Sequence, residues 1–148
     1  LMVSNATTIS SLSKDWIESV KESGRFSDYR WDTSETVKVT TFDRLIEEHG
    51  VPAFTKIDVE GFEAQVIKGL SCPAGVISFE FTPEFLTSAI DSIDHLSTIG
   101  HVEFNYSLGE TMRLELSSWT TAEDITAILN SLSGTSVFGD VYTRFIVG

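Results

Sequence analysis

Apolar residues recur at intervals of three and four in five segments of the chain, and this spacing predicts five helices. Thr41 is a suitable N-cap for the second helix, which Gly50 and Pro52 would end. Thr120-x-x-Glu123 resembles a capping box in front of the fifth. The apolar positions are Leu12, Trp16, Ile17 and Val20; Phe42, Leu45 and Ile46; Phe62, Val66, Ile67 and Leu70; Phe85, Leu86, Ala89, Ile90, Ile93 and Leu96; and Ile125, Ile128, Leu129 and Leu132.

Six shorter segments are rich in β-branched and aromatic residues or alternate between apolar and polar positions, which is typical of strands. Each lies next to a helical segment or a turn signal, so strands and helices alternate along most of the chain. The predicted strands are residues 37–39, 54–60, 76–81, 101–107, 112–116 and 141–147.

This alternation predicts an α/β fold with a mainly parallel sheet and flanking helices. Right-handed crossovers would place helices on both faces of the sheet and bury its middle strands. We expect a single domain over residues 1–148, with a helix and an irregular loop in 1–36 and the sheet with its helices in 37–148. In such folds ligands bind at the carboxyl ends of the strands.

Composition narrows the class of protein. A chain of 148 residues with 41% hydrophobic residues is long enough for one domain with a substantial core. Its formal charge of −12 would repel nucleic acid and anionic membrane surfaces, so we expect neither as a partner. The single cysteine, Cys72, favours a reducing, cytoplasmic location, and no run of about 18 apolar residues predicts a membrane span.

The segment Phe54–Glu60 combines an apolar strand pattern with three charged residues. Because strand side chains alternate, Lys56, Asp58 and Glu60 would share one face, and Ile57 would lie on the other. Burying unpaired charges costs about several kcal/mol each, so these must be paired, hydrated or exposed to a ligand. Gly61 allows a sharp turn into the next helix, whose first amide groups would point at the same place. The pattern therefore predicts a ligand cleft.

A further charged residue, Glu80, lies near the end of the next predicted strand, between Phe79 and Phe81. Carboxylates at the ends of two neighbouring strands favour a site over isolated surface charges. A purely structural arrangement is the alternative. In that case Lys56 and Asp58 form an ion pair, Glu60 caps the following helix, and Glu63 interacts with the helix dipole.

These motifs together resemble the FkbM-type methyltransferases, in which a segment like TLDxL precedes KIDVEGxExxVLxGL and a strand ending in Glu follows. The matching residues are Val39-Thr40-Thr41-Phe42-Asp43-Arg44-Leu45, Lys56-Ile57-Asp58-Val59-Glu60-Gly61-Phe62-Glu63, Gly69-Leu70 and Ile77-Ser78-Phe79-Glu80-Phe81. The resemblance implies a fold similar to class I methyltransferases and S-adenosylmethionine as the methyl donor. The acceptor it implies is a hydroxyl group on a sugar, a polyketide or a related small metabolite.

The resemblance also implies roles for single residues. Asp58, Glu60 and Glu80 would be catalytic, with Asp58 as the base that removes the hydroxyl proton. Asp58 and Gly61 would contact the cofactor, and Lys56, Glu60 and Glu80 the substrate. No metal is expected as part of this site.

The chain departs from the family pattern in one respect: its ten glycines include no G-x-G turn, with which such enzymes hold the adenosyl group. We therefore expect a carboxyl-terminal portion that lacks the first two strands and binds S-adenosylmethionine weakly or not at all when taken alone. The related fold orders its strands 3-2-1-4-5-7-6, so the strand 54–60 would have a free edge. A free edge favours a homo-oligomer, and the last strand would run antiparallel to the others.

Two other functional classes remain open at this point. The chain fits a non-catalytic, acidic α/β interaction module that acts through assembly, and it fits an unrelated enzyme that binds a divalent cation with Asp58, Glu60 and Glu80. The three histidines are dispersed and form no zinc pattern with Cys72. No G-x-S-x-G motif marks a hydrolase nucleophile.

Overall fold

The computed structural model describes residues 1–146 and contains five helices and six strands in that range. All five predicted helices are present, and four of the predicted strands are confirmed with shifted bounds in most cases. The helices are α1 (Lys14–Glu22), α2 (Phe42–His49), α3 (Glu63–Lys68), α4 (Leu86–Ile99) and α5 (Ala122–Ser131). The strands are β1 (Met2–Val3), β2 (Thr33–Ser34), β3 (Phe54–Ile57), β4 (Val76–Phe81), β5 (Val102–Leu108) and β6 (Gly139–Phe145).

Four strands form one mixed sheet in the order β3-β4-β6-β5. β3 pairs with β4 in parallel, while β6 runs antiparallel to both of its neighbours. β3, β4 and β5 therefore point the same way, and the last strand is inserted between β4 and β5 in the opposite direction. β3, β4, β5 and β6 correspond to strands 4, 5, 6 and 7 of the related fold, so the observed order agrees with the expected 4-5-7-6. The last strand is antiparallel, as expected, although its predicted end, Val147, lies outside the described residues.

One face of this sheet carries the main core. Ile77 and Phe79 of β4, Phe104 of β5 and Val141 of β6 are fully buried there. α4 packs between α3 and α5 over this face, so these three helices lie together. The other face carries polar side chains at the alternate positions, which include Lys56 and Glu80.

A smaller apolar cluster is formed by the first part of the chain. Trp16, Ile17 and Val20 of α1 pack there with Ile9 and Trp31, all of them buried. The indole N–H of Trp31 donates to the Ile9 carbonyl at 2.8 Å, which ties the aromatic loop to this cluster. α1 contacts the 3-10 turn that follows β4, so the cluster lies against the carboxyl end of the sheet.

Two predicted strands are absent from the described residues. Residues 37–39 alternate in the expected way, but no strand pairs with them, and Val39 is 76% exposed. Residues 112–116 run beside β5 without regular pairing, because Leu116 bonds to the side chain of Asn105 and Met112 has a positive φ of 55°. A segment with alternating apolar and polar residues forms a strand only where a neighbouring strand supplies the hydrogen bonds.

Two further bounds differ for local reasons. α5 is capped by Thr121, whose hydroxyl accepts from the Asp124 N–H at 3.2 Å, so the predicted cap at Thr120 is one residue too early. β3 ends at Ile57, three residues before the predicted Glu60. Among residues 1–146 the structure contains no helix with the length and apolarity needed to cross a membrane.

The outer edge of β3 has no partner strand among the described residues, and we predict that two copies of the chain associate through it. Phe54 is 53% exposed on this strand, and the next strand residues, Thr55 to Ile57, line an apolar groove of about 370 Å³ together with Leu45 and Val66. In an antiparallel pairing centred on Ile57, each Lys56 would stand opposite Asp58 of the other copy. The edge is therefore self-complementary in charge.

Light scattering coupled to size-exclusion chromatography tests this association. We expect a mass of twice the 16.3 kDa of one chain, and a shift toward the monomer in Phe54→Lys, which introduces a charge at the edge. Met112→Lys is the matched control, because Met112 is also exposed but does not belong to β3. A wild-type chain that stays monomeric at high concentration would contradict the prediction.

Candidate active site at the carboxyl end of the sheet

The loop between β3 and α3, residues 58–62, forms one wall of the candidate site. Glu60 has a φ of 52° and Gly61 a φ of 83°, so two successive residues take the left-handed conformation and turn the chain away from the sheet. Left-handed backbone is costly for a residue with a Cβ, so this conformation must be held by its surroundings. The predicted alternation of Lys56, Asp58 and Glu60 on one strand face is wrong at Glu60, because the strand has already ended.

The buried carboxylate of Glu63 holds this loop in place. Its Oε1 accepts hydrogen bonds from the backbone N–H groups of Val59 at 3.1 Å and Gly61 at 3.2 Å. Burial raises the pKa of Glu63, and these hydrogen bonds act in the opposite direction. The Gly61 amide group is therefore occupied by Glu63, and the contact of Gly61 with a cofactor stays a prediction.

Residues of α1 and of the segment before it pack against the other side of this loop. The Ser11 hydroxyl donates to the Glu60 carbonyl at 2.5 Å. Trp16, which is 1% exposed, lies so close to Gly61 that a Cβ there would be 2.2 Å from the Trp16 Cβ. Glycine is therefore required at position 61 by packing as well as by its φ.

Lys56 and Asp58 point to the polar face of the sheet. The Lys56 Nζ lies 4.0 Å from the Asp58 carboxylate and forms a closer ion pair with Asp140 at the start of β6. Partial burial lowers the pKa of Lys56, but the hydrogen bond to Asp140 and the nearby carboxylates outweigh it and raise the pKa overall. The predicted Lys56–Asp58 pair thus exists, but Asp140 is the closer partner.

Asp140 is a site residue that the sequence did not reveal. It lies 84 positions after Lys56 and belongs to no recognisable motif. It reaches Lys56 because β6 pairs with β4 and sets Asp140 beside Glu80. The expected strand order places the last strand next to the one that ends in Glu80, and that order was the only signal from which Asp140 could have been found.

Glu80 is at the centre of the site. It lines an outer cavity of about 170 Å³ together with Lys56 and Asp58, and a second of about 300 Å³ together with Glu60. It also lines a small inner cavity of about 10 Å³ beside Glu63. The structure therefore brings the three predicted catalytic residues, Asp58, Glu60 and Glu80, around adjoining cavities.

The environment makes protons bind tightly to two of these carboxyl groups. Burial, followed by the charges of Glu60, Asp58 and Glu63, raises the pKa of Glu80 to about 8. Burial, followed by the charges of Asp58 and Glu63, raises the pKa of Glu60 to about 7. Like charges in a partly dry site resist joint ionisation, so both groups exchange protons near neutral pH.

Aromatic residues from distant parts of the chain complete the 300 Å³ cavity. Phe26 and Trp16 come from the first part of the chain, and Phe138 precedes β6. Arg25 also lines the cavity, where its guanidinium lies 4.8 Å from the centre of the Phe138 ring and 3.1 Å from the Glu84 carboxylate. No local motif marks the cavity-lining residues of the first part of the chain.

Outside this site, the described residues offer fewer groups that could take part in a reaction. A cavity of about 600 Å³ lies at the opposite end of β5 beside Trp119, and none of the predicted site residues lines it. Within residues 1–146, no three histidine, cysteine or carboxylate side chains are arranged to hold a metal ion. The chemistry available is that of carboxylic acids with raised pKa values, which suits the transfer of a proton to or from a bound hydroxyl group.

Comparison with known proteins gives one match, to a family model. A family model described as methyltransferase FkbM domain matches residues 3–120, which is well over half of the chain and includes β3, β4 and the loop between β3 and α3. No curated protein and no solved structure gives a significant match.

Proposed function

This chain belongs to the FkbM methyltransferase domain family, and from this we propose that it takes part in transferring a methyl group from S-adenosylmethionine to a hydroxyl group of a small metabolite. A sugar or a polyketide is the acceptor class that we propose. The family favours this enzymatic function over the non-catalytic interaction module. The observation that carries the site assignment is the position of Glu80 on both outer cavities.

The residues around the cavities suit the sulfonium end of S-adenosylmethionine but not its adenosyl end. Carboxylates outnumber cations around the cavities, and such a setting suits a positively charged sulfonium. The adenosyl end has no counterpart, since the sequence contains no G-x-G turn. When bound, the cofactor would supply an electrophilic methyl group, and the residues described here would act on the acceptor.

Glu80 is the better candidate for the base, although the sequence favoured Asp58. Asp58 has an exposed side chain beside Lys56, while Glu80 is largely buried and has a pKa of about 8. A base with a pKa near the working pH combines a useful ionised fraction with a strong affinity for the proton. We propose that ionised Glu80 accepts the proton of the acceptor hydroxyl.

The remaining polar residues would position the acceptor. Glu60 faces the same cavity as Glu80 and, with a pKa of about 7, can hold a hydrogen bond in either protonation state. Lys56 is held at the adjoining cavity by Asp140, where its ammonium group can donate to a second acceptor oxygen. The aromatic rings of Phe26 and Phe138 supply apolar surface for the rest of the acceptor.

The experiment measures release of S-adenosylhomocysteine with a panel of sugars and hydroxylated polyketides. We expect Glu80→Gln to lower the rate by about 10²- to 10⁴-fold and to remove the rise in rate with pH near 8, because the base is lost. Asp58→Asn should have a smaller effect, and Glu47→Gln, on the exposed surface of α2, should have none.

Calorimetry with S-adenosylmethionine completes the test. Weak binding is expected for this chain, because the adenosyl end of the cofactor has no counterpart, so the absence of turnover at saturating S-adenosylmethionine would count against the enzymatic proposal and revive the interaction module. An Asp58→Asn variant that loses more activity than Glu80→Gln would return the role of base to Asp58.

A further inference from the structure

The inner cavity of the site is small and polar. It has a volume of about 10 Å³ and shares Glu80 with the two outer cavities. Its lining includes the carboxylate-bearing residues Glu63 and Glu80 and the hydroxyl-bearing residues Thr82 and Ser88; the rest of the wall is Trp16, Gly61 and Phe85.

Ser88 has an unexplained feature at this cavity. It lies in the first turn of α4, and its hydroxyl oxygen is buried without any hydrogen-bond partner. Other serines of this helix behave differently: the hydroxyl of Ser97 donates to the Ile93 carbonyl, and that of Ser92 donates to the Ser88 carbonyl, each at 2.8 Å. Buried hydroxyl groups are almost always hydrogen-bonded in native proteins, so Ser88 requires a partner.

We propose that the cavity holds one water molecule, which links the Ser88 hydroxyl to the Glu80 carboxyl group. A volume of about 10 Å³ is the space that one water requires, and a buried water needs two to four polar partners. Ser88, Glu80, Glu63 and Thr82 meet that condition. Ser88 is then a positioning residue: it orients the water, and the water orients Glu80.

The proposed water would stabilise the ionised form of Glu80. When Glu80 is ionised, a water donating to one of its oxygens stabilises the negative charge. Lys56, whose charge lowers the pKa of Glu80, is itself paired with Asp140. The other oxygen stays available to the outer cavities. The importance of this for catalysis rests on the proposed function, whereas the presence of the water does not.

Ser88→Ala tests the proposal, with Ser97→Ala as the matched control on the same helix. In a high-resolution crystal structure of the wild-type chain we expect an ordered water within hydrogen-bond distance of Ser88 and Glu80, and its loss or displacement in Ser88→Ala. In a carbon-13 titration by NMR, the pKa of Glu80 should rise by about half a unit to one unit in Ser88→Ala and stay unchanged in Ser97→Ala.

An empty cavity in the wild-type crystal would overturn the proposal. So would an ordered water together with an unchanged Glu80 titration in Ser88→Ala, since Ser88 would then not position the carboxyl group. Should Ser88→Ala fail to fold, Ser88→Cys keeps the volume with a weaker donor and allows the same titration. Neither readout requires turnover, so a failure of this proposal is distinguishable from a failure of the proposed function.

Discussion

Gly61→Ala is expected to destabilise the folded chain by about 2 to 5 kcal/mol, because the new methyl group meets both an unfavourable backbone conformation and a buried neighbour. About 1 to 2 kcal/mol comes from the φ of 83°, which an L residue rarely adopts. The rest comes from overlap, since the new Cβ would lie 2.2 Å from both Cβ and Cγ of Trp16. These atoms are attached close to the backbone of α1, so rotation of the side chain cannot relieve the overlap and the helix must move.

Gly24→Ala separates the two causes. Gly24 has nearly the same φ, 79°, and a Cβ there would meet nothing within 4 Å. We expect it to cost only about 1 to 2 kcal/mol in the free energy of unfolding, measured by urea denaturation. Equal losses in the two variants would show that Trp16 yields easily and that α1 is not packed firmly against the loop. A loss of about 3 kcal/mol or more is a large share of the stability of a small domain.

Glu80→Gln is expected to stabilise the fold at alkaline pH and to flatten its dependence on pH. The unfolded chain releases the Glu80 proton near the ordinary value of 4.5, while the folded chain keeps it until about pH 8. Between these values the folded state binds more protons than the unfolded state, so stability falls as pH rises from about 4.5 to about 8. The glutamine side chain of the variant cannot ionise and avoids this loss, which is on the order of 4 kcal/mol at about pH 8.

Urea denaturation at a series of pH values measures this effect. The gain of Glu80→Gln over the wild type should be small at about pH 5, where the side chain at this position is neutral in both folded proteins, and should grow toward about pH 8. Glu60, whose pKa is about 7, contributes a residual slope in the variant. Glu47→Gln, an exposed substitution on α2, should follow the wild-type curve. Parallel curves for Glu80→Gln and the wild type would mean that Glu80 ionises freely in the folded protein.

Much of the fold follows from local patterns in the sequence. β4 has the predicted bounds, Val76–Phe81, because it is a buried strand with neighbours on both sides. α4 also lies where its apolar stripe predicts it, and its stripe is wide enough to define the buried face without knowledge of the partner. The segments 37–39 and 112–116 have comparable patterns but are not strands, because pairing depends on distant residues.

The residues of the candidate site also fall into two groups, those predicted from the sequence and those that only the structure revealed. The sequence identified Asp58, Glu60 and Glu80, because charged residues at the ends of apolar strands are visible in a single segment. It did not identify Asp140, Arg25 or Phe138, which reach the site only through the folding of the chain. The choice between Asp58 and Glu80 as base also depends on burial and on neighbouring charges, and neither can be read from a strand pattern.

Taken by itself, the amino-acid sequence determined the α/β class, the five helices, the family and the acidic character of the site, because each of these depends on periodicity or on residues close together in the chain. Only the tertiary structure decided that the loop after β3 is held by Glu63 and Trp16, that Lys56 pairs with Asp140, and that Glu80 is the most buried of the three predicted catalytic acids. These features arise from contacts between distant segments, and the energy of a charge depends on what surrounds it.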